Sequence, residues 1–347
     1  MAGIEIHEYD GDFEDLTELT RRAWTTEYAG KAWFSLPEAP ALRHMARNGT
    51  CLAAYHGAEV VGSMFSIPYS IRVGPSTLPT AFITGLTVDP AHRRVALPLI
   101  ERIRRLHTEQ GIDFAIGGVA NDPTSGSYRF WTKYGQTFPG NLHYLFSTGH
   151  WVKILEPRAV ARAGVKQWER LTARVLGRLL SFTPPSYDRH VRPGRGGDLE
   201  RCTELLNQGS RHLEWAVVWS PAALAGEFGN PAAESLVFDQ GGSVQAVVQY
   251  RRLVAYGRSP LNAALIELWA TEGLSASQRV RLLGHVCNRL REREVHIVLV
   301  LGCGLAPTSA LAANLFLPPV PQLNVFALST GRGPVPAPPK SWNLVLA

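Results

Sequence analysis

The run FITGLTVDPAHRRVALPLIERIRRL, from Phe82 to Leu106, decides how the rest of the chain is read. Phe82, Ile83, Leu86 and Val88 make an apolar strand with Gly85 at its middle. Asp89-Pro90 stops it, because proline cannot donate to a ladder. A basic loop from Ala91 to Arg94 follows, and a helix is predicted from Val95 or Ala96. Pro98 is tolerated only in a first turn, and Leu99, Ile100, Ile103 and Leu106 then fall on one face until Gly111. Strand, basic loop and helix N-terminus together suit an anion. The arginines bring charge, while unpaired N–H groups and the helix dipole favour the same sign. The loop has neither the GxxxxGKS/T of nucleotide-hydrolysing proteins nor the GxGxxG of dinucleotide folds.

The surroundings are those of an ordinary globular chain. Its 347 residues, 45% hydrophobic and 18% charged, suffice for one large domain or two of about 170 residues. No apolar run reaches the roughly 18 residues of a membrane span, and the start, Met1-Ala2-Gly3-Ile4-Glu5, is acidic and unlike a signal peptide, so a cytoplasmic protein is expected. Cys51, Cys202, Cys287 and Cys303 are far apart in apolar surroundings, which predicts buried free thiols and no metal site.

The net charge of +6 is concentrated in one place. Residues 153–195 hold ten Lys or Arg against Glu156, Glu169 and Asp188. Val165, Trp168, Leu171, Val175 and Leu179 recur there at helical spacing, which predicts a basic amphipathic helix ended by Thr183-Pro184-Pro185. It is either a linker with a solvated face or a docking surface for something acidic: an acyl carrier protein, a leader peptide or an anionic membrane surface. Nucleic acid is not expected, since the arginines lack interleaved aromatics.

The two halves share an order of elements at an offset of about 185 residues. A strand pair (50–55 and 59–67), the strand 82–88, the helix 98–110 and the strand 114–119 recur as 235–238 with 244–250, 264–269, 277–292 and 295–301. This predicts duplication of one α/β unit, the copies packing side by side. The second copy has the acidic Ala270-Thr271-Glu272-Gly273 where the first has arginines, so one copy should bind an anionic cofactor and the other should shape the acceptor site.

Val88-Asp89-Pro90 and Arg93-Arg94-Val95-Ala96 resemble motif A of the GNAT acyltransferases, which hold the pyrophosphate of coenzyme A, although the usual glycines are absent and the loop is about two residues short. Arg94-Val95-Ala96 followed by Leu97-Pro98-Leu99-Ile100 resembles the basic-V-A-P-x-L-I loop of the N-myristoyltransferase family. Val61-Gly62-Ser63-Met64-Phe65-Ser66-Ile67-Pro68 is similar to that family's V-G-F-I-S-x-I-P strand. Gly126-Ser127-Tyr128-Arg129-Phe130-Trp131 is similar to its G-T-C-R-Y-W, and Leu323-Asn324-Val325-Phe326-Ala327-Leu328 to its last-but-one strand. The basic stretch 153–187 has no counterpart there.

The resemblance implies an α/β tandem GNAT fold, two mixed-sheet units with flanking helices: an acyl-CoA-binding domain over 1–150, a basic helical linker over 151–186 and an acceptor-shaping domain over 187–347. It implies coenzyme A contacts at Leu86, Val88, His92, Arg93, Arg94, Val95, Ala96, Leu97 and Pro98, and oxyanion N–H groups at Gly85 and Leu86. It also implies that the carboxylate of Ala347 is the general base, with His92, His143 and Glu267 as alternatives. Thr84 stands where the family has an amine-binding asparagine, and Ile116 stands near its pocket threonine, so specificity for an N-terminal glycine does not carry over. Ser63 to Pro68 and Ala115 to Ala120 are candidates to line an acyl channel. The expected function is transfer of a medium or long fatty acyl group from acyl-CoA, or from an acyl carrier protein, to an amine of a peptide, without a metal. A short-chain acetyltransferase for a small amine and a non-catalytic acyl-CoA sensor are the alternatives.

Overall fold

The computed structural model describes residues 3–184 and 188–344. The first half runs β1 (Ile4–Glu8), α1 (Phe13–Tyr28), β2 (Phe34–Ser35), α2 (Ala39–Arg47), β3 (Thr50–His56), β4 (Glu59–Val73) and β5 (Ser76–Val88). A 3-10 turn, Pro90–Val95, leads into α3 (Ala96–Glu109), then β6 (Phe114–Ala120), α4 (Gly126–Thr137), β7 (Leu142–Thr148) and β8 (His150–Ile154). Three short helices follow: α5 (Pro157–Ala163), α6 (Gln167–Val175) and α7 (Gly177–Leu180). The second half begins with β9 (Val191–Pro193), α8 (Leu199–Gly209), β10 (Trp215–Val217), α9 (Pro221–Phe228), β11 (Ala233–Gln240), β12 (Ser243–Tyr256) and β13 (Pro260–Ala270). It ends with α10 (Ala276–Glu292), β14 (Ile297–Leu301), α11 (Thr308–Ala313), β15 (Leu323–Ser329) and β16 (Trp342–Asn343).

The expected repeat is present in both sheets. In the first, β3-β4-β5 is an antiparallel meander and α3 crosses over to bring β6 parallel to β5; in the second, β11-β12-β13 is the meander and α10 brings β14 parallel to β13. The strand over 82–88 is the end of a longer one. Tyr69, Ile71 and Val73 alternate with Ser70 and Arg72, so β4 continues past Pro68 and turns at Gly74 (φ +55°) into β5.

Strand order departs from chain order at two places. β15 lies between β6 and β7 in the first sheet, and β8 pairs with β14 at the edge of the second, so each unit is completed by a strand from the other side of the sequence. Between the sheets lies a shared core, in which Ile71, Phe114, Ile116, Trp215 and Val325 of one meet Val237, Val247 and Leu268 of the other. On its opposite face the first sheet holds α3, whose Leu99, Ile100 and Ile103 are fully buried, each worth about 1.5–3 kcal/mol of apolar burial.

The basic stretch is three helices rather than one, and its apolar stripe points outward. Only Ala173 of α6 and Gly177 and Leu180 of α7 are buried, while Trp168, Leu171, Val175 and Leu179 are exposed. Helical spacing showed which residues share a face, and packing through small residues set that face toward solvent. Gly177 lies so close to Pro157 that a Cβ there would sit 2.5 Å from the proline ring. The cysteines are free thiols, three buried and Cys303 partly exposed.

Candidate active site

The donor side is built on a break in the first sheet. Phe65 pairs with Thr84 and Ser63 with Thr87, so Gly85 and Leu86 together oppose Met64, a bulge made possible by glycine at φ +61°. The extra residue shifts the alternation, and Ile83, Leu86 and Val88 all pack toward α3. At the same level β5 leaves β6, because their parallel pairing ends at Ile83 with Gly117. Thr84–Val88 on one side and Gly118–Ala120 on the other therefore flank a wedge that opens toward the head of α3. Backbone groups off the ladder in such a wedge suit an extended amide-bearing ligand and a developing oxyanion.

The turn after β5 supplies the charge. Asp89 caps it by accepting from the Ala91 N–H at 2.8 Å, and Arg22 reaches the same carboxylate at 3.2 Å. His92 is half-buried, with Nδ1 3.7 Å from Asp89 and its ring 5.2 Å from that of His56. Arg93 and Arg94 are exposed, and among the described residues neither has an ion-pair partner. Leu97 and Pro98 are exposed beside them at the start of α3. Val95 and Ala96 turn their side chains into the core, where Val95 packs close to Gly62, so only their backbone can face a ligand.

A second cluster lies at the junction of the two sheets and was absent from the sequence reading except for Glu267. Tyr69 shares a sheet face with Phe82 and Thr84 through the pairs Tyr69 with Thr80, Ile67 with Phe82 and Phe65 with Thr84. Its hydroxyl donates to Glu227 Oε1 at 3.1 Å, at the end of α9. Glu267 stands at the bulge of β13, opposite the break between Gln249 and Tyr250, and pairs with Arg251 at 2.8 Å. Burial, and next the Glu267 charge, push the Glu227 carboxyl up to about 7, against the opposing effects of Tyr69 and Arg251. Burial also raises Glu267, with Arg251 opposing it. The indole N–H of Trp219, whose ring packs on Tyr69, has no hydrogen-bond partner among the described residues.

The chain's C-terminal segment enters the same junction. Leu344 is buried and lines a narrow cavity with Tyr69, Ile71, Phe82 and Ile116. The Ala347 carboxylate expected as general base lies outside the described residues. His143 is half-buried, with Nε2 3.2 Å from the Gly140 carbonyl. Ser63, Met64, Phe65, Ser66 and Ile67 are buried, and Phe65 and Phe82 fill the sheet face beside Thr84. A larger cavity of about 500 Å³ opens elsewhere, between α4 and the β6-β15-β7 part of the sheet.

Glu227 carries no motif in the sequence, and its partner Tyr69 is 158 residues away, so no spacing could have joined them. Glu267 did leave a signal. It is a charge inside the apolar run Ile266-Glu267-Leu268. Among the described residues no group of three or more His, Cys, Asp or Glu could hold a metal ion, and no helix is long and apolar enough to cross a membrane.

Residues 7–135 match the model of an acetyltransferase (GNAT) domain. In fold, the chain is similar to Saccharomyces cerevisiae N-myristoyltransferase with bound myristoyl-CoA, at TM-score 0.75 and 12% identity, over 95% of this chain and 80% of that one. It is also similar to a tandem GNAT protein from the clavulanic acid biosynthesis pathway, at TM-score 0.59 and 14% identity, over 95% of this chain and all of that one (100%). A GCN5-related N-acetyltransferase from Anabaena variabilis matches at TM-score 0.55 and 13% identity, over 95% and 73%. No curated protein matches by sequence. Residues 7–135 thus match a GNAT domain by sequence, and the chain as a whole, with a second copy of the unit behind the first, has a tandem GNAT fold similar to that of N-myristoyltransferase.

Proposed function

We propose that the protein transfers an acyl group from a coenzyme A thioester, or from an acyl carrier protein, to an amine, with a medium or long fatty acyl chain and a peptide amine as the leading substrates. One coincidence carries the reading: the Gly85-Leu86 bulge, the parting of β5 from β6 and two unpaired arginines all lie at one end of one strand. The phosphates bind at Arg93, Arg94 and the head of α3, the pantetheine lies in the wedge, and the thioester carbonyl meets the N–H groups of Gly85 and Leu86. The amine nitrogen attacks that carbonyl carbon, the C–S bond breaks, coenzyme A leaves as a thiol, and the amine's proton passes to a base. Thr84 and the Tyr69–Glu227–Glu267 cluster face the acceptor, where two carboxylates against one Arg251 favour an ammonium, and Glu227 is the described group best matched to accept a proton near neutral pH.

Long-chain donors are supported by the likeness to a structure holding myristoyl-CoA. Acetyl transfer to a small amine is the second reading, and the buried Phe65 and Phe82 favour it, since they occupy the sheet face to which Thr84 belongs and the cavity that Phe82 lines with Tyr69 and Ile116 is narrow. Intact-mass measurement of peptides and small amines incubated with acetyl-, octanoyl- and myristoyl-CoA decides between them. A peptide gaining the octanoyl or myristoyl mass supports the first reading, and acetyl transfer alone supports the second. Donor binding without any mass gain leaves a sensor.

A further inference from the structure

Ten large apolar side chains are exposed among the described residues, and six of them fall between residues 168 and 182: Trp168, Leu171, Val175, Leu176, Leu179 and Phe182. Scattered apolar surface needs no explanation, but a contiguous stripe does. At 100° per residue Trp168, Leu171 and Val175 of α6 fall within about 60° of arc with Arg174 along one rim, and exposed Leu179 and Arg178 follow on α7. Arg158, Arg162 and Lys166 are exposed on the preceding turns. The acidic residues of this segment are taken up in structural bonds. Glu156 accepts from the Arg158 N–H at 3.0 Å, and Glu169 accepts from the Trp33 indole at 3.1 Å and from the Lys166 N–H at 2.9 Å.

The stripe is held in place from behind. Fully buried Lys153 donates from Nζ to the carbonyls of Leu180, Phe182 and Asn314 at 2.7–2.8 Å, which clasps the C-terminal end of α7 against the body. Ala173, Gly177 and Leu180 supply the packing face. The outward face is therefore a fixed feature of the fold.

We infer that α6, α7 and Phe182 form an interfacial docking element for an anionic phospholipid bilayer. Its geometry is that of a helix lying in the membrane plane, with an aromatic and aliphatic stripe to enter the headgroup region and arginines alongside to meet lipid phosphates. Two-fold pairing with a second copy would bring the basic rims together. The inference deepens the proposed acyl transfer, since long-chain donors and lipidated products both partition into such a surface.

The test is vesicle co-sedimentation of the full-length protein, with phosphatidylcholine alone and with phosphatidylglycerol added. Binding at least about tenfold tighter to the anionic vesicles is expected, each basic residue at a membrane surface being worth about fivefold. Leu171→Glu with Val175→Glu should abolish it, and Arg174→Glu with Arg178→Glu should remove the preference for anionic lipid. All four side chains are exposed, and melting curves verify that the variants remain folded. Equal, weak binding to both vesicle types overturns the inference, as does wild-type binding by the Glu variants. So does a dimer in light scattering that the same variants dissociate, or an acyl carrier protein that binds in place of vesicles. Acyl transfer from a water-soluble short-chain donor is unaffected by these variants. Absence of transfer from acetyl-, octanoyl- and myristoyl-CoA alike in the wild type would count against the proposed function and leave the vesicle result standing.

Discussion

The hydroxyl of Tyr69 donates to the carboxylate of Glu227 at 3.1 Å, joining the sheet that carries the basic turn to the helix that leads into β11 of the second. That carboxyl is held near 7, and it lies on the face to which Thr84 belongs. If Glu227 receives the acceptor's proton, acyl transfer rises as pH passes through about 7, and Glu227→Gln lowers the rate by about 10²–10⁴ and removes that limb. Single-turnover rates against pH measure this. Unchanged profiles would return the role to another group.

The same substitution has a stability signature of opposite sense. A carboxyl with a folded pKa of about 7 against an ordinary 4.5 binds more protons folded than unfolded in that interval. Its contribution is therefore fully present below 4.5 and is lost as pH rises through 7. Melting temperatures of Glu227→Gln should fall less than those of the wild type between pH 5 and about 7.5.

His107 acts in the other direction. It is fully buried, with Nε2 2.6 Å from the Ser66 hydroxyl, and burial pushes it down to about 4. The unfolded chain binds more protons between about 6.5 and 4, so stability is lost as pH falls through that window, by up to about 3 kcal/mol for this group. His107→Gln should flatten the acid limb of a urea-denaturation series, but not abolish it, because burial lowers His150 as well.

Arg93→Ala with Arg94→Ala should weaken coenzyme A binding and leave the fold intact, since both side chains are exposed. Charged hydrogen bonds to phosphate are worth roughly 1.5–3 kcal/mol each. Titration calorimetry reads the loss, and unchanged affinity in the folded double variant would move the donor site elsewhere.

Gly85→Ala should act on chemistry more than on donor binding. Its backbone sits at φ +61°, and a Cβ would lie 3.0 Å from the Phe65 ring, so a cost of about 1–2 kcal/mol in stability is expected. Displacing the bulge should lower turnover by about 10²-fold or more while the donor dissociation constant changes little. Equal losses in both would make the bulge structural only.

Adding two glycines after Ala347 separates the two candidate bases. If the Ala347 carboxylate takes the proton, the extension displaces it by about 3.3–3.6 Å per residue and turnover falls with binding preserved. Near-normal turnover in the extended protein removes the Ala347 carboxylate and leaves Glu227, His92, His143 and Glu267, among which the pH profile of Glu227→Gln decides.

Much of this could be read in the chain before any coordinates. The strand, basic turn and helix of residues 82–106 are local events, fixed by proline, glycine and the period of apolar side chains, and they held. The duplication was legible because each copy repeats the same local order, whereas the bulge of β13 at Glu267 is set by its pairing with β12. Tertiary structure decided three further things. β15 and β8 change places because a strand joins whichever open edge its side chains can bury against, and pairing partners carry no sequence address. Tyr69, Glu227, Arg251 and Glu267 meet only because the two sheets share one core. The apolar stripe of α6 and α7 faces outward because Ala173 and Gly177 give the close approach, and periodicity defines a face without saying what it faces.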